Sequence, residues 1–241
     1  MRTLAVELRK EKRTGVFLLM AATGILGAAY AFANFAIRRD MLFHLPLAPM
    51  DVLLTQLYGM ILILNMFGII VAACILYHME FQGSAVKKMY MLPMSVSAMY
   101  FCKFLILTFL FLAAVCIQNA ALAVIGIRDL PQGAFDAHTL MVFAGYSFLT
   151  SMPVLSFMLC VSSLSENMWV PLGTGVAGFL SGMALSMTEG LPLFVHPFVV
   201  MLKPAVAMSA QPDVAVAAVS FVETILFLCA GLMLAKARRY E

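Results

Sequence analysis

The chain has 241 residues, 63% of them apolar and 11% charged, with a formal net charge of +3. Soluble globular domains carry about 45–50% apolar and about 25% charged residues. The composition therefore excludes a water-soluble domain and makes this an integral membrane protein, for which no nucleic-acid partner is expected.

The first fifteen residues, "MRTLAVELRKEKRTG", are highly charged. They read as a short basic amphipathic helix, residues 1–15, on the inner membrane surface, or as a plain positive-inside anchor. Leu4 and Leu8 share one helical face, and Glu7 and Lys10 can pair at i,i+3. The apolar run that follows is too long for a signal-peptide core, so no removable signal is expected. A bilayer-spanning helix needs about 20 predominantly apolar residues. Six runs qualify, at about 16–37, 52–77, 98–125, 139–163, 169–188 and 214–235. Only "LSENM" separates the fourth from the fifth, which predicts a tight hairpin. No internal repeat or linker divides the chain, so residues 1–241 read as a single domain.

Between the second and third runs lies "YHMEFQGSAVKKMYMLPMSVSAMYFCK", residues 77–103. Gly83-Ser84 can start a helix with Ser84 as N-cap, and Pro93 ends it. This predicts a two-turn helix over about 84–92, with Val86, Met89 and Tyr90 on one face and Lys87 and Lys88 elsewhere. Glu80 is expected to hold this loop through Lys87, Lys88 or backbone amides. The segment is either a knob that meets a soluble motor or an ordinary basic loop. A second short apolar stretch, "GLPLFVHPFVVML", is interrupted by Pro192 and Pro197 and ended by Lys203-Pro204. It reads as a re-entrant or interfacial segment over about 190–204, between spans 5 and 6.

Lys and Arg set the orientation. With both termini in the cytoplasm, eleven basic residues face inward and four (Arg38, Arg39, Arg128, Lys203) face outward. The Arg38-Arg39 pair dissents and sits beside Asp40.

Inside the spans, Glu223 in "SFVETILFL" is the one carboxylate deep in a predicted helix. An ionised side chain there costs at least about 2.5 kcal/mol. It must face the protein interior, be hydrogen-bonded or stay neutral, with Asn65, Gln118 and Asn119 as candidate partners. It is a pathway residue or a helix-packing contact. Gly178 and Gly182 form a G-x-x-x-G that permits close helix approach, within the chain or at a seam with another subunit. Pro153 should kink span 4, and Trp169 belongs at the inner interface. The twenty methionines are soft core filler or an adaptable substrate surface. Cys74, Cys102, Cys116, Cys160 and Cys229 read as small buried hydrophobes.

No P-loop is present, so the chain is not expected to be an enzyme and any ATP chemistry belongs to another subunit. The four histidines have no ligand spacing, so no metal or other cofactor is expected on this chain.

The whole chain resembles the ABC-2 type permeases. "ELRKEKRTGVF", "PLAPMDVLLTQLYGM" and "MEFQGSAVKKMYMLPMSVSAMYFCK" look like the permease subunits of lantibiotic-immunity and antimicrobial-peptide-resistance transporters. Glu80, Gly83, Lys88, Leu92, Pro93, Ser95 and Lys103 fall on that group's pattern around the cytoplasmic coupling helix. The resemblance implies an all-α, six-span exporter subunit in the bacterial plasma membrane, with cytoplasmic termini. It implies as partners an ABC ATPase dimer carrying ATP and Mg, a second and non-identical permease, a lantibiotic-like peptide as substrate, and the lipid bilayer. The alternatives are an ABC-2 permease for another amphiphile, lipid or drug, or a non-transporting membrane sensor or scaffold.

Overall fold

The computed structural model describes residues 2–12, 14–81, 96–131, 133–186, 195–207 and 209–237. Among them every regular element is helical: α1 (Arg2–Glu11), α2 (Val16–Phe43), α3 (Pro49–Phe81), α4 (Val96–Asp129), α5 (Ala137–Leu164), α6 (Trp169–Ser186), α7 (Pro197–Val206) and α8 (Val214–Ala237). Six of these, all but α1 and α7, are long and apolar enough to cross a membrane. Gly15, at φ 81°, makes the left-handed turn that lets α1 leave the direction of α2.

Several spans run beyond their apolar runs. Helices α3 and α4 have 33 and 34 residues, about 50 Å each, against a hydrocarbon core of about 30 Å. The extra turns carry Glu80 at one end of the bundle and Asp129 at the other. Helix α3 contains a π-helical turn, Val52–Gln56, that the sequence does not announce; Leu53, Leu54 and Thr55 are buried within it. Thr55 Oγ1 donates to Asp51 O (2.7 Å), and Asp51 Oδ1 accepts from Ala210 N (2.7 Å). The segment after α7 is thereby fastened to the start of α3. Near the same end Arg39 pairs with Asp129 at 3.2 Å, tying α2 to α4.

Helices α3 and α5 form the centre, with 61% and 72% of their most apolar windows buried. Helix α2 packs along α3 and α4, and α8 lies along α5. The short α7 wedges between α5 and α6 with Pro197 through Leu202 buried. Its Phe198 meets Phe157 edge-on at 6.0 Å, and Phe157 meets Phe227 of α8 at 5.2 Å. A Cβ on Gly178 would strike the Phe198 ring, and one on Gly182 would lie 2.8 Å from Phe198 Cβ. These two glycines of α6 thus make room for an aromatic side chain of the same chain.

Pro197 begins α7 at its first turn, where a missing N–H is no loss. The helix does not end at Lys203-Pro204 as the sequence suggests. It continues to Val206, and Ala207 N–H bonds Lys203 O at 3.0 Å. Pro204 removes one ladder bond near the end, which the tight packing of α7 tolerates. Residues 190–194 of the expected re-entrant segment lie outside the described residues.

Candidate functional site

Five charged side chains gather where α1 crosses the end of α3 and the start of α4. Glu7 and Glu11 stand at i,i+4 in α1 and so share a face. Leu76, Tyr77 and Glu80 occupy the last turns of α3 on one face. Lys103 projects from the second turn of α4 and is 1% exposed. Its Nζ lies 2.8 Å from Glu11 Oε1, 3.1 Å from Glu80 Oε1 and 3.5 Å from Glu7 Oε2. It also donates to Leu76 O (3.3 Å) and sits 5.4 Å from the centre of the Tyr77 ring. Lys10 adds a second ammonium on Glu80 Oε1, at 2.5 Å.

Glu7, Glu11 and Glu80 are 2%, 0% and 5% exposed, so these pairs are sheltered from water. Three carboxylates share two ammonium groups. A buried pair of this kind is weak evidence of net stability, because desolvation offsets attraction. Removing one partner is a different matter: it leaves a buried charge alone, which costs about 3–5 kcal/mol. The cluster is therefore a clasp that ties α1 to the end of α3 and the start of α4.

The clasp adds to the sequence reading. Helix α1 faces the bundle with Glu7 and Glu11, Leu8 is 36% exposed, and the expected Glu7–Lys10 pair stands at 3.9 Å. Glu80 pairs with Lys10 and Lys103. Lys87 and Lys88, its expected partners, lie outside the described residues, as do Gly83, Val86, Met89, Tyr90, Leu92, Pro93 and Ser95. A usable signal was present: a lysine inside the apolar run "AMYFCKFLILTF", and two glutamates one turn apart in a basic segment.

A second polar group lies within the spans. Asn65 of α3 and Gln118 of α4 exchange amide hydrogen bonds, Asn65 Nδ2 to Gln118 Oε1 at 3.0 Å and Gln118 Nε2 to Asn65 Oδ1 at 2.7 Å. Gln118 Nε2 also donates to Thr23 O of α2 (3.2 Å). A Cβ on Gly27 would lie 2.6 Å from Gln118 Nε2, and one on Gly68 would lie 2.7 Å from Thr23 Oγ1. Glycine at both positions admits this three-helix contact. Asn119 instead bonds its own helix, Nδ2 to Val115 O at 2.9 Å.

Glu223 is 7% exposed, on the side of α8 that carries the fully buried Ser220. Its Oε2 is buried without a hydrogen-bond partner among the described residues. The candidate partners are engaged elsewhere, Asn65 and Gln118 with each other and Asn119 through its amide nitrogen with its own backbone. Among the described residues no group of His, Cys, Asp and Glu is arranged to hold a metal ion. Cys116 and Cys229 are exposed on helix surfaces, contrary to the expectation of buried thiols, while Cys74, Cys102 and Cys160 are buried. Trp169 is 71% exposed at the start of α6.

A family model described as "ABC-2 family transporter protein" matches residues 3–182, which hold α1 through most of α6, the clasp and the Asn65–Gln118 pair. No curated protein and no solved structure matches the chain. ABC-2 permeases work with an ATPase subunit and are not themselves the ATPase. Six apolar helices, a charge clasp at one end of the bundle and this match over most of the chain lead to one conclusion: the protein belongs to the ABC-2 transporter family, as a multi-pass membrane permease subunit.

Proposed function

We propose that this permease expels lantibiotic-like antimicrobial peptides from the bacterial plasma membrane and so confers immunity or resistance. The peptide assignment rests on the resemblance of residues 7–17, 46–60 and 79–103 to permeases of that group. Both termini lie in the cytoplasm, and a separate ATPase dimer docks on a coupling helix at residues 84–92. A second, non-identical permease completes the membrane unit. ATP and Mg are held by the ATPase.

The observation that carries the coupling reading is the clasp. Glu80 and Lys103 flank residues 84–92 in sequence, and both pair with α1 or with its lysine. A push delivered to residues 84–92 reaches the ends of α3 and α4 directly and reaches α1 through the clasp. Three helices then tilt as one body, and α2 follows through Thr23, Gln118 and Asn65. Tyr90 is the largest apolar side chain of the expected knob and its anchor, since buried aromatics often contribute more than about 2 kcal/mol to an interface.

The test is survival of a susceptible strain expressing the permease pair and ATPase under challenge with a lantibiotic. A non-lantibiotic cationic peptide and a lipophilic drug form the other arms. Selective protection against the lantibiotic supports the reading. Protection against the drug alone moves the substrate to another amphiphile.

A further inference from the structure

Arg39 belongs to the basic pair that runs against the charge bias along the chain, and it opens onto a notch between the ends of α2 and α4. The notch measures about 420 Å³, within the range of small-molecule sites. Arg39, Arg128 and Asp129 line its outer end, and Phe32, Phe35 and Val124 line it further in. Arg39, Arg128, Phe32 and Val124 are all exposed, so an occupant can reach both the charges and the apolar wall.

The groups are ordered by depth. Phe32, Phe35 and Arg39 stand at i, i+3 and i+7 and share one face of α2. Arg39 lies four residues from the end of that helix, and Phe32 lies about 10 Å deeper at 1.5 Å per residue. Arg128 is the next-to-last residue of α4, and Val124 lies about 6 Å deeper. Because α4 is longer than the hydrocarbon core, its last turn reaches headgroup level. The notch thus sets two guanidinium groups at the headgroups and an aromatic and aliphatic wall in the acyl region below them.

Charge narrows the occupant. Arg39 Nη2 lies 3.2 Å from Asp129 Oδ1, which fixes the guanidinium in place. A guanidinium has five N–H donors, so one carboxylate does not exhaust Arg39. Arg128 makes no ion pair among the described residues. Two guanidinium groups against one carboxylate leave the lining net positive. A phosphodiester meets that charge and accepts parallel N–H bonds from arginine. A headgroup that also carries an ammonium would bring a third cation beside them. We propose that this notch binds an anionic phospholipid, its phosphate on Arg128 and Arg39 and its chain along Phe32 and Val124. The site is separate from the clasp and independent of which substrate is exported. Assigning it to the outer leaflet alone depends on the proposed topology.

The experiment places the full-length protein in phosphatidylcholine nanodiscs doped with phosphatidylglycerol that carries a photoreactive group on one chain. A parallel sample carries the same chain on phosphatidylcholine. Adducts are located by mass spectrometry. The expected result is adducts at notch residues such as Phe32 and Val124, with a yield about five-fold lower for the phosphatidylcholine probe and for Arg128→Gln. Arg38→Gln removes the same charge from the same end of α2 but from outside the lining, and should leave the yield within about two-fold. Equal yields from the two lipids overturn the proposal without recourse to any variant. So does an Arg38→Gln loss as large as that of Arg128→Gln, which would mark diffuse charge attraction. Absence of adducts at the notch overturns it equally. Loss of labelling under a millimolar excess of free glycerol phosphate assigns the site to a soluble phosphate and overturns the lipid.

Discussion

Lys103→Met keeps length and apolar volume at the centre of the clasp while removing its buried ammonium. The carboxylates are not affected equally. Glu80 retains Lys10 on the same oxygen, and Glu7 retains Lys10 at 3.9 Å. Glu11 keeps the hydroxyl of Thr14, at 3.1 Å. The cost therefore falls mainly on one fully buried carboxylate, at the lower end of the range for breaking a buried pair, about 3 kcal/mol. That energy appears as detachment of α1. Because about 1.4 kcal/mol is tenfold in an equilibrium, the open population should rise about 100-fold. Arg9 on α1 and Lys12 just after it are exposed, so limited trypsin digestion of the N-terminus reads this opening directly. Cleavage that proceeds through the detached state should accelerate by a similar factor. Adding Glu11→Gln to Lys103→Met removes the orphaned charge and should restore much of the protection. A single variant whose cleavage rate changes less than threefold, or a double variant no better protected than the single, would refute the clasp as the element that holds α1.

Further outcomes follow from the same geometry. Gln118→Leu leaves Asn65 and Thr23 O without their amide partner. By the scale of hydrogen bonds measured between membrane helices, it should lower stability by about 0.6–1.7 kcal/mol, read by thermal melting in detergent. Glu223→Gln should retain expression and transport, since its hydrogen-bonding shape survives, whereas Glu223→Leu should reduce one or both; a fully active Leu variant would remove Glu223 from the pathway. At the start of α5, the Thr139 hydroxyl and the His138 and Thr139 amides hold the exposed Asp136 carboxyl below its ordinary 3.8. A depressed carboxylate contributes stability above its ordinary value and loses it as pH falls through the depressed one. The melting difference between the wild-type protein and Asp136→Ala should thus be present at pH 7 and fade as pH drops below about 4.

Much of the bundle was legible because the bilayer imposes length. The six apolar runs correspond to six helices, and α3 and α4 are displaced at their ends, where polar residues such as Glu80 and Asp129 continue the helix beyond the hydrocarbon. What faces what was not legible. Lipid is as apolar as a protein core, so hydrophobic periodicity does not mark the buried side of a membrane helix. Small and polar residues mark it instead: Ser147, Thr150, Ser151 and Ser156 are all fully buried on α5, the most buried span. The pairing of Asn65 with Gln118 needed the register of three helices, which spacing within one helix does not supply. Glu80 and Lys103 were picked out through the family pattern. Their connection to Glu11 and Lys10 spans some 70 to 90 residues of chain and appears only when α1 folds back across the bundle. The π-helical turn at Val52–Gln56 has no sequence signature; it packs against α7.

The central claim is that peptide at the membrane and ATP in the cytoplasm are linked through residues 80–103 and the clasp. Its most direct measurement is ATP hydrolysis by the co-purified permease–ATPase complex in nanodiscs, with and without a lantibiotic. The lantibiotic should stimulate hydrolysis in the wild-type complex. Tyr90→Ala should abolish co-purification of the ATPase. With Lys103→Met, the ATPase should still co-purify but stimulation should be lost. Full lantibiotic stimulation in a Lys103→Met complex would contradict it.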